Sequence, residues 1–266
     1  MQLHCLGTAG YHPNEHRHTS CYFLPESGIL LDAGTGLFRL PPLIQTDSLD
    51  ILISHAHLDH IAGLTFLLDV LYQRPVQQLR IWGEQEKLDA IRQHLFCDLI
   101  FPVQLDAQWC PLDGRQPLKI GGGPAGPATV TWRAQQHPGG SLGFRLDWER
   151  EPARTRLLYL TDTTGDDSQA AIDWYRGADL MLHECYFPAS HRELAIKTGH
   201  TWTQRLAEIA AAAEPAELIM THVNPLSADP ESLLAEVAER LATTGVVPRL
   251  AAEPSCVQFG HDCGGA

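Results

Sequence analysis

Short apolar runs broken by Gly, Pro and Asp open the chain, and Leu3–Leu6, Cys21–Leu24, Ile29–Leu31 and Ile51–Ile53 each read as a strand. The periodicity then changes. Leu64, Leu67, Leu68 and Leu71 fall at i, i+3, i+4 and i+7, which predicts an amphipathic helix after the fourth strand. Strand Leu79–Trp82 leads into a second helix around Glu84–Leu95. Thr129–Ala134, Gly143–Leu146 and Leu157–Thr161 restore a β pattern, with Gly121–Pro127 as a hairpin loop rather than a linker. A helix near Asp167–Tyr175 and strand Asp179–Leu182 come next. Thr201-x-x-Gln204 has the form of a capping box, opening a helix whose inner face is Leu206, Ile209, Ala210 and Ala213. Strand Leu218–Thr221 follows, then Asp229 with Pro230 at the first helical position, starting a helix to about Leu241. Val257–Phe259 closes the pattern as a strand, and Cys263–Ala266 reads as a frayed tail. Strands alternating with helices after a strand-rich opening predict an α/β (α+β) chain, with sheets sandwiched between helices in a single domain spanning 1–266.

Composition sets limits on this picture. Hydrophobic residues make up 44% and charged residues 19% of the 266, a globular balance. With 19 Lys+Arg against 32 Asp+Glu the formal net charge is −13, which argues against a protein that coats nucleic acid but leaves room for one local cationic site. Seven scattered cysteines without a Cys-x-x-Cys pair read as a reduced chain with buried thiols. The opening residues lack a signal-peptide pattern, and the apolar runs stop well short of about 18 residues. A cytoplasmic protein with no membrane span is expected.

The 14 histidines are the unusual part of the composition. Ser54-His55-Ala56-His57-Leu58-Asp59-His60 sits where a strand ends and a helix begins. Three imidazoles and a carboxylate so close together cannot all enter a core, because each would need a buried partner. They are the ligand types of Zn²⁺, and of Mn²⁺ or Fe as well. Two His separated by one residue can reach one ion, while the Asp and His just after can turn to a second.

This pattern resembles the metallo-β-lactamase-fold hydrolases, whose fold is an αββα sandwich with a dinuclear site where the two sheets meet. That family requires a further His, then an acid or Cys, then a last His, each at a strand end. His137 in Gln-Gln-His137-Pro-Gly, Asp162 in Tyr-Leu-Thr-Asp162-Thr and His222 in Ile-Met-Thr-His222-Val stand in that order. The resemblance implies that His55, His57 and His137 hold one metal, that Asp59, His60 and His222 hold the other, and that Asp162 bridges both. Two Zn²⁺ are the expected cofactors, with Mn²⁺ or Fe as alternatives. A carboxylate rather than a thiolate at the bridge suits oxygen-rich substrates such as phosphodiesters.

Asp179-Leu-Met-Leu-His183-Glu184-Cys185 and Thr198-Gly199-His200-Thr201 extend the likeness to ribonuclease Z, the branch that cleaves phosphodiesters at the 3′ side of tRNA precursors. By that likeness a metal-bridging hydroxide attacks phosphorus, Asp59 accepts the nucleophile's proton, His200 assists the leaving oxygen and Glu184 orients His200. His183 reads as structural. One feature departs from the branch. Its common bacterial members insert a basic, Gly/Pro-rich tRNA-gripping arm between the counterparts of His137 and Asp162, and only 24 residues lie there. An RNA end is therefore joined as expected substrate by a small cyclic phosphate or cyclic nucleotide. A non-hydrolytic metal-binding or cofactor-biosynthesis protein of the same fold is the rival from another class. Homodimers are common in the resembled family. The loop carrying His12, Glu15, His16, His18 and Cys21 admits two readings, a polar rim or a third metal site, the latter by likeness to the cyclic phosphodiesterases of phosphonate metabolism.

Overall fold

Side-chain alternation along the strands decides which layer each residue enters. The computed structural model describes residues 1–114, 116–150 and 153–260, so the expected frayed tail Cys263–Ala266 lies outside the described residues. One sheet is built from β1 (Gln2–Gly7), β2 (Cys21–Leu24), β3 (Ile29–Leu31), β4 (Ser48–Leu52), β5 (Gln78–Gly83) and β6 (Gln108–Pro111). The other contains β7 (Leu118–Ile120), β8 (Ala128–Gln135), β9 (Ser141–Arg150), β10 (Ala153–Leu160), β11 (Leu180–Glu184), β12 (Leu218–Thr221) and β13 (Pro248–Leu250). The last strand, β14 (Ser255–Gln258), returns to the first sheet beside β1. The orders are β14-β1-β2-β3-β4-β5-β6 and β13-β12-β11-β10-β9-β8-β7.

On β2, Tyr22 and Leu24 face the second sheet while Cys21 and Phe23 face helices, the period-2 split that two buried faces require. Between the sheets, Tyr22, Leu31 and Leu52 meet Phe144, Trp148, Tyr159 and Leu182. Each such side chain withdrawn from water contributes about 1.5–3 kcal/mol. Outside the first sheet lie α1 (Leu58–Ile61), α2 (Leu67–Gln73) and α3 (Gln85–Ala90), which pack through Ile61, Leu67, Val70 and Leu88. Outside the second lie α4 (Gln169–Tyr175), α6 (Thr203–Ala213) and α7 (Pro230–Leu241), and α5 (Arg192–Thr198) precedes α6. The architecture is the αββα sandwich expected, and no helix among the described residues is long and apolar enough to cross a membrane.

Several local expectations change. The helix expected through Leu64–Leu71 begins inside a 3-10 stretch, Ala62–Phe66, and becomes α-helical only at α2. Gly63 is the cause: its N–H donates to Ala33 O at 2.8 Å, and a Cβ there would lie 2.2 Å from Gly34 O. Backbone packs on backbone at that point, and Val70 rather than the partly exposed Leu68 completes the buried face. The helix around Glu84–Leu95 is α3 followed by a π turn over Ile91–Leu95. The capping box does not form. Trp202 is the N-cap of α6, Thr201 Oγ1 donates to Thr163 O at 2.6 Å, and Gln204 reaches Glu208 instead. Tertiary contact claims the threonine hydroxyl. Asp229 does cap α7, accepting from Ser232 N, with Pro230 at its first position.

β10, β11 and β12 run parallel, and β8, two antiparallel steps from β10, runs the same way. Their C-terminal ends therefore share one edge. Leu142 N donates to Ser54 O at 3.0 Å and ties that edge to the loop after β4. Chemistry placed at strand ends meets there.

Candidate functional site

The His-rich loop follows β4 directly, so His55 is buried while the short helix α1 turns Asp59 and His60 back toward the same point. His137 comes from the loop after β8, Asp162 from two residues past β10, Glu184 from the last position of β11 and His222 from just past β12. Among the described residues, three groups of donors lie within 4.8 Å of one another: His55, His57, His137 and Asp162; Asp59, His60 and His222; and Asp162, His200 and His222.

Asp162 lies at the centre. Its Oδ1 is 3.3 Å from His137 Nε2 and 3.8 Å from His55 Nε2, whereas its Oδ2 is 3.0 Å from His60 Nε2 and 3.1 Å from His222 Nε2. One carboxylate thus divides its oxygens between the two groups. Asp59 Oδ2 joins the second, 3.3 Å from His60 Nε2 and 3.4 Å from His222 Nε2, while accepting Tyr11 N–H at 2.7 Å.

The outer nitrogens are held so that the inner ones face inward. His60 Nδ1 bonds Asp32 Oδ2 at 2.7 Å, His137 Nδ1 bonds Gly199 O at 2.9 Å and His55 Nδ1 bonds Ser54 Oγ at 3.0 Å. With the outer nitrogen donating, each inner Nε2 presents a lone pair, the tautomer a metal ligand needs. Asp32 also accepts from Ser54 N, Ser54 Oγ and Tyr159 OH. It was not identified from the sequence. The available signal is an Asp directly after the wholly buried strand Ile29–Leu31, where a solvated turn is the ordinary reading. Tyr186, also missed, stacks on His200 at 4.3 Å between ring centroids and 13° between planes.

Backbone strain concentrates here. Four of the five non-glycine residues with positive φ among the described residues border the cluster: Tyr11, Asp32, Asp162 and His222, at 62°, 54°, 50° and 51°. Such conformations cost about 1–3 kcal/mol each and persist where surrounding contacts over-determine them. Gly10 makes room for His222: a Cβ at that position would sit 2.4 Å from the imidazole.

Electrostatics follow from this crowding. Burial alone would raise the carboxyls of Asp59 and Asp162, but the imidazoles of His60 and His222 outweigh it and hold both well below the usual carboxylate range. Burial would lower His60; Asp59, Asp162 and Asp32 reverse this and raise it far above the ordinary imidazole value. His55 and His57 are lowered, first by burial and then by neighbouring imidazoles. His200 is raised: burial opposes, but Glu184, whose Oε2 is 3.1 Å from Nδ1, prevails. Glu184 Oε1 accepts Thr163 N at 2.5 Å, which fixes that carboxylate.

Two observations fit divalent cations. His55 Nε2 is buried, aimed into the cluster and without a hydrogen-bond partner, a defect worth about 1–3 kcal/mol if left unfilled. His57 Nδ1 and His137 Nε2 approach to 3.3 Å, as do the Nε2 atoms of His60 and His222, so imidazole nitrogens converge in two pairs at the centre of the cluster. The donor set of imidazoles and carboxylates suits zinc, manganese or iron. His183 is fully buried, with Nδ1 on Glu184 O at 2.8 Å, as expected of a structural residue.

The N-terminal loop does not build a third centre among the described residues. Cys21 is fully buried in β2, His18 Nδ1 meets Thr35 Oγ1 at 3.2 Å, His12 Nδ1 meets Pro13 O at 2.9 Å, and Glu15 and His16 are exposed. Strand pairing takes the Cys21 thiol away from the loop's imidazoles.

Comparison with known proteins identifies the family. Residues 28–223 match the family model described as Beta-lactamase superfamily domain. A ribonuclease Z of Archaeoglobus fulgidus is 23% identical, covering 91% of this chain and 93% of its own length. The metallo-β-lactamase-fold protein YhfI of Bacillus subtilis superposes with a TM-score of 0.76 at 21% identity, covering 97% of this chain and 99% of that one. Human tRNase Z, short form, superposes with a TM-score of 0.71 at 19% identity, covering 98% and 100%. The two structural likenesses establish the fold; the family match, over well more than half of the sequence, establishes that the chain belongs to the beta-lactamase superfamily.

Proposed function

We propose that the protein is a dinuclear, zinc-dependent phosphodiesterase acting on small phosphodiesters. The observation that carries this reading is the Asp162 carboxylate, with Oδ1 turned to His55 and His137 and Oδ2 to His60 and His222. His55, His57, His137 and Asp162 would hold one ion, and Asp59, His60, His222 and Asp162 the other. When bound, two such ions supply positive charge for phosphoryl oxygens and lower the pKa of a water enough to make it a nucleophile near neutral pH.

The chain's own residues supply the rest. Asp59, whose carboxylate lines the cavity over the cluster, orients the attacking water and accepts its proton. His200, with its proton retained by Glu184, donates it to the departing alkoxide. Tyr186 stacks against the imidazole and keeps its plane fixed. Pro138 and Leu58 line the cavity above the cluster.

Small substrates are favoured over tRNA by two features. The interval between His137 and Asp162 is taken up by β9 and β10, which pair antiparallel from Tyr159↔Phe144 out to Ala153↔Arg150, so its described residues build no arm. A net charge of −13 also disfavours a long polyanion held over a wide surface.

The test combines elemental analysis with turnover of bis(p-nitrophenyl) phosphate, cyclic AMP and a precursor tRNA. Two zinc equivalents per chain and metal-dependent hydrolysis of either small substrate are expected. Full metal occupancy with no phosphodiester turned over would leave a non-hydrolytic metal-binding protein of the same fold.

A further inference from the structure

The cavity over the cluster, about 520 Å³, includes Ala56 and Leu58 in its wall. The same two residues line a second cavity of about 360 Å³, completed by Ile61, Ile91, Leu95 and Ile100 with His94 as a polar member. The two meet at the histidine motif itself. Leu58, between His57 and Asp59, leaves 68% of its surface in water, and Ile100 across the second cavity leaves 66%. No Lys or Arg lines either cavity among the described residues.

We propose that this second cavity is a substrate subsite that receives one flat, apolar ester group, so that preferred substrates carry a single phosphodiester charge and an aromatic or similarly hydrophobic substituent. The inference rests on the phosphodiesterase reading and deepens it by naming the substrate class. A cavity of this size lies at the lower end of the range for small-molecule sites, about 300–1,000 Å³. Its eight lining residues are also far fewer than the roughly 20–30 a side that a stable protein contact engages, which argues against a second copy as its occupant. An RNA chain would bring additional phosphates past walls that hold no cation to meet them. A nucleobase would bring polar edges with only His94 to bond them. An apolar ring leaves none of these groups unpaired, and Leu58 and Ile100 gain the cover that they lack in the free protein.

The probes are methylphosphonate and 1-naphthylmethylphosphonate, whose C–P bond is not hydrolysed. Binding to the zinc-loaded protein is read by naphthyl fluorescence, with methylphosphonate measured by displacement. The naphthyl probe is expected to bind about tenfold tighter, as one well-filled apolar pocket provides. Ile100→Gln, outside the metal cluster, should erase that margin without changing methylphosphonate affinity, and Leu58→Gln should erase it from the opposite wall. Thermal melts confirm that both variants fold. Equal affinity of the two probes, or a naphthyl preference that survives both substitutions, overturns the subsite. So does a concentration-dependent dimer that excludes the probe, or tighter binding of a 3′-extended RNA hairpin. If neither phosphonate binds and no phosphodiester is turned over, the functional reading fails as well; binding of both without a margin removes the subsite alone.

Discussion

Two segments of this chain are rich in imidazoles, and only one becomes a cluster. In residues 55–60 two of the three imidazoles are backed by a fixed partner on the outer side: Asp32 behind His60, Ser54 behind His55. In residues 12–21 the side chains disperse, His18 toward Thr35, Cys21 into the sheet and His16 toward solvent. Convergence follows from the supporting shell. A strand end, a buried carboxylate and strained backbone at Asp162 and His222 aim side chains at one point, whereas the contacts of residues 12–21 lead their imidazoles to different partners.

That contrast is open to attack, first at its centre. Asp162→Asn removes the charge shared by the two groups, at about 3–5 kcal/mol, and metal affinity and turnover should fall about a hundred- to a thousandfold. Two equivalents of zinc retained by this variant would show that the carboxylate does not join the groups. His200→Gln should lower kcat about 10²–10⁴-fold while leaving the metal content intact, and a proportional loss of zinc would make His200 a ligand instead.

The supporting shell should show intermediate effects. Asp32→Asn is expected to weaken metal binding about 10–100-fold, measured by competition with a chelator. It should also cost about 1–3 kcal/mol in thermal unfolding, because Ser54, His60 and Tyr159 lose an acceptor. Wild-type metal affinity in that variant would mean that the ligands orient themselves. At the other extreme, His16→Ala should change stability by less than about 0.5 kcal/mol and leave the zinc count untouched; loss of an equivalent would reinstate a metal site in the N-terminal loop.

Much of the scaffold was legible in the chain. Cys21–Leu24, Ile29–Leu31 and Leu218–Thr221 occupy the expected residues, because each is a short apolar run with clear punctuation on both sides. The 3-10 start of the helix after β4 was not legible, since it depends on Gly63 meeting the backbone of residues 33 and 34, thirty positions away. Thr201 looked like a cap because the pattern is local, and its hydroxyl went to Thr163 because the fold offered a nearer carbonyl.

The candidate site divides in the same way. His55, His57, Asp59 and His60 announce themselves by density, while His137, Asp162 and His222 became readable only through their order along the chain. Asp32 and Tyr186 carried no such mark: Tyr159, which donates to Asp32, lies 127 residues away, and Tyr186 acts through the plane of a ring it stacks on.

By itself the sequence determined the donor types and the strands that end in them, because ligand chemistry and β-periodicity are local properties. Only the tertiary structure decided that the ends of β4, β8, β10, β11 and β12 share one edge, and that the oxygens of Asp162 divide between two groups. It also decided that an apolar groove opens beside them. Each of these depends on two sheets packing face to face, and that packing is set by side chains scattered over the whole chain.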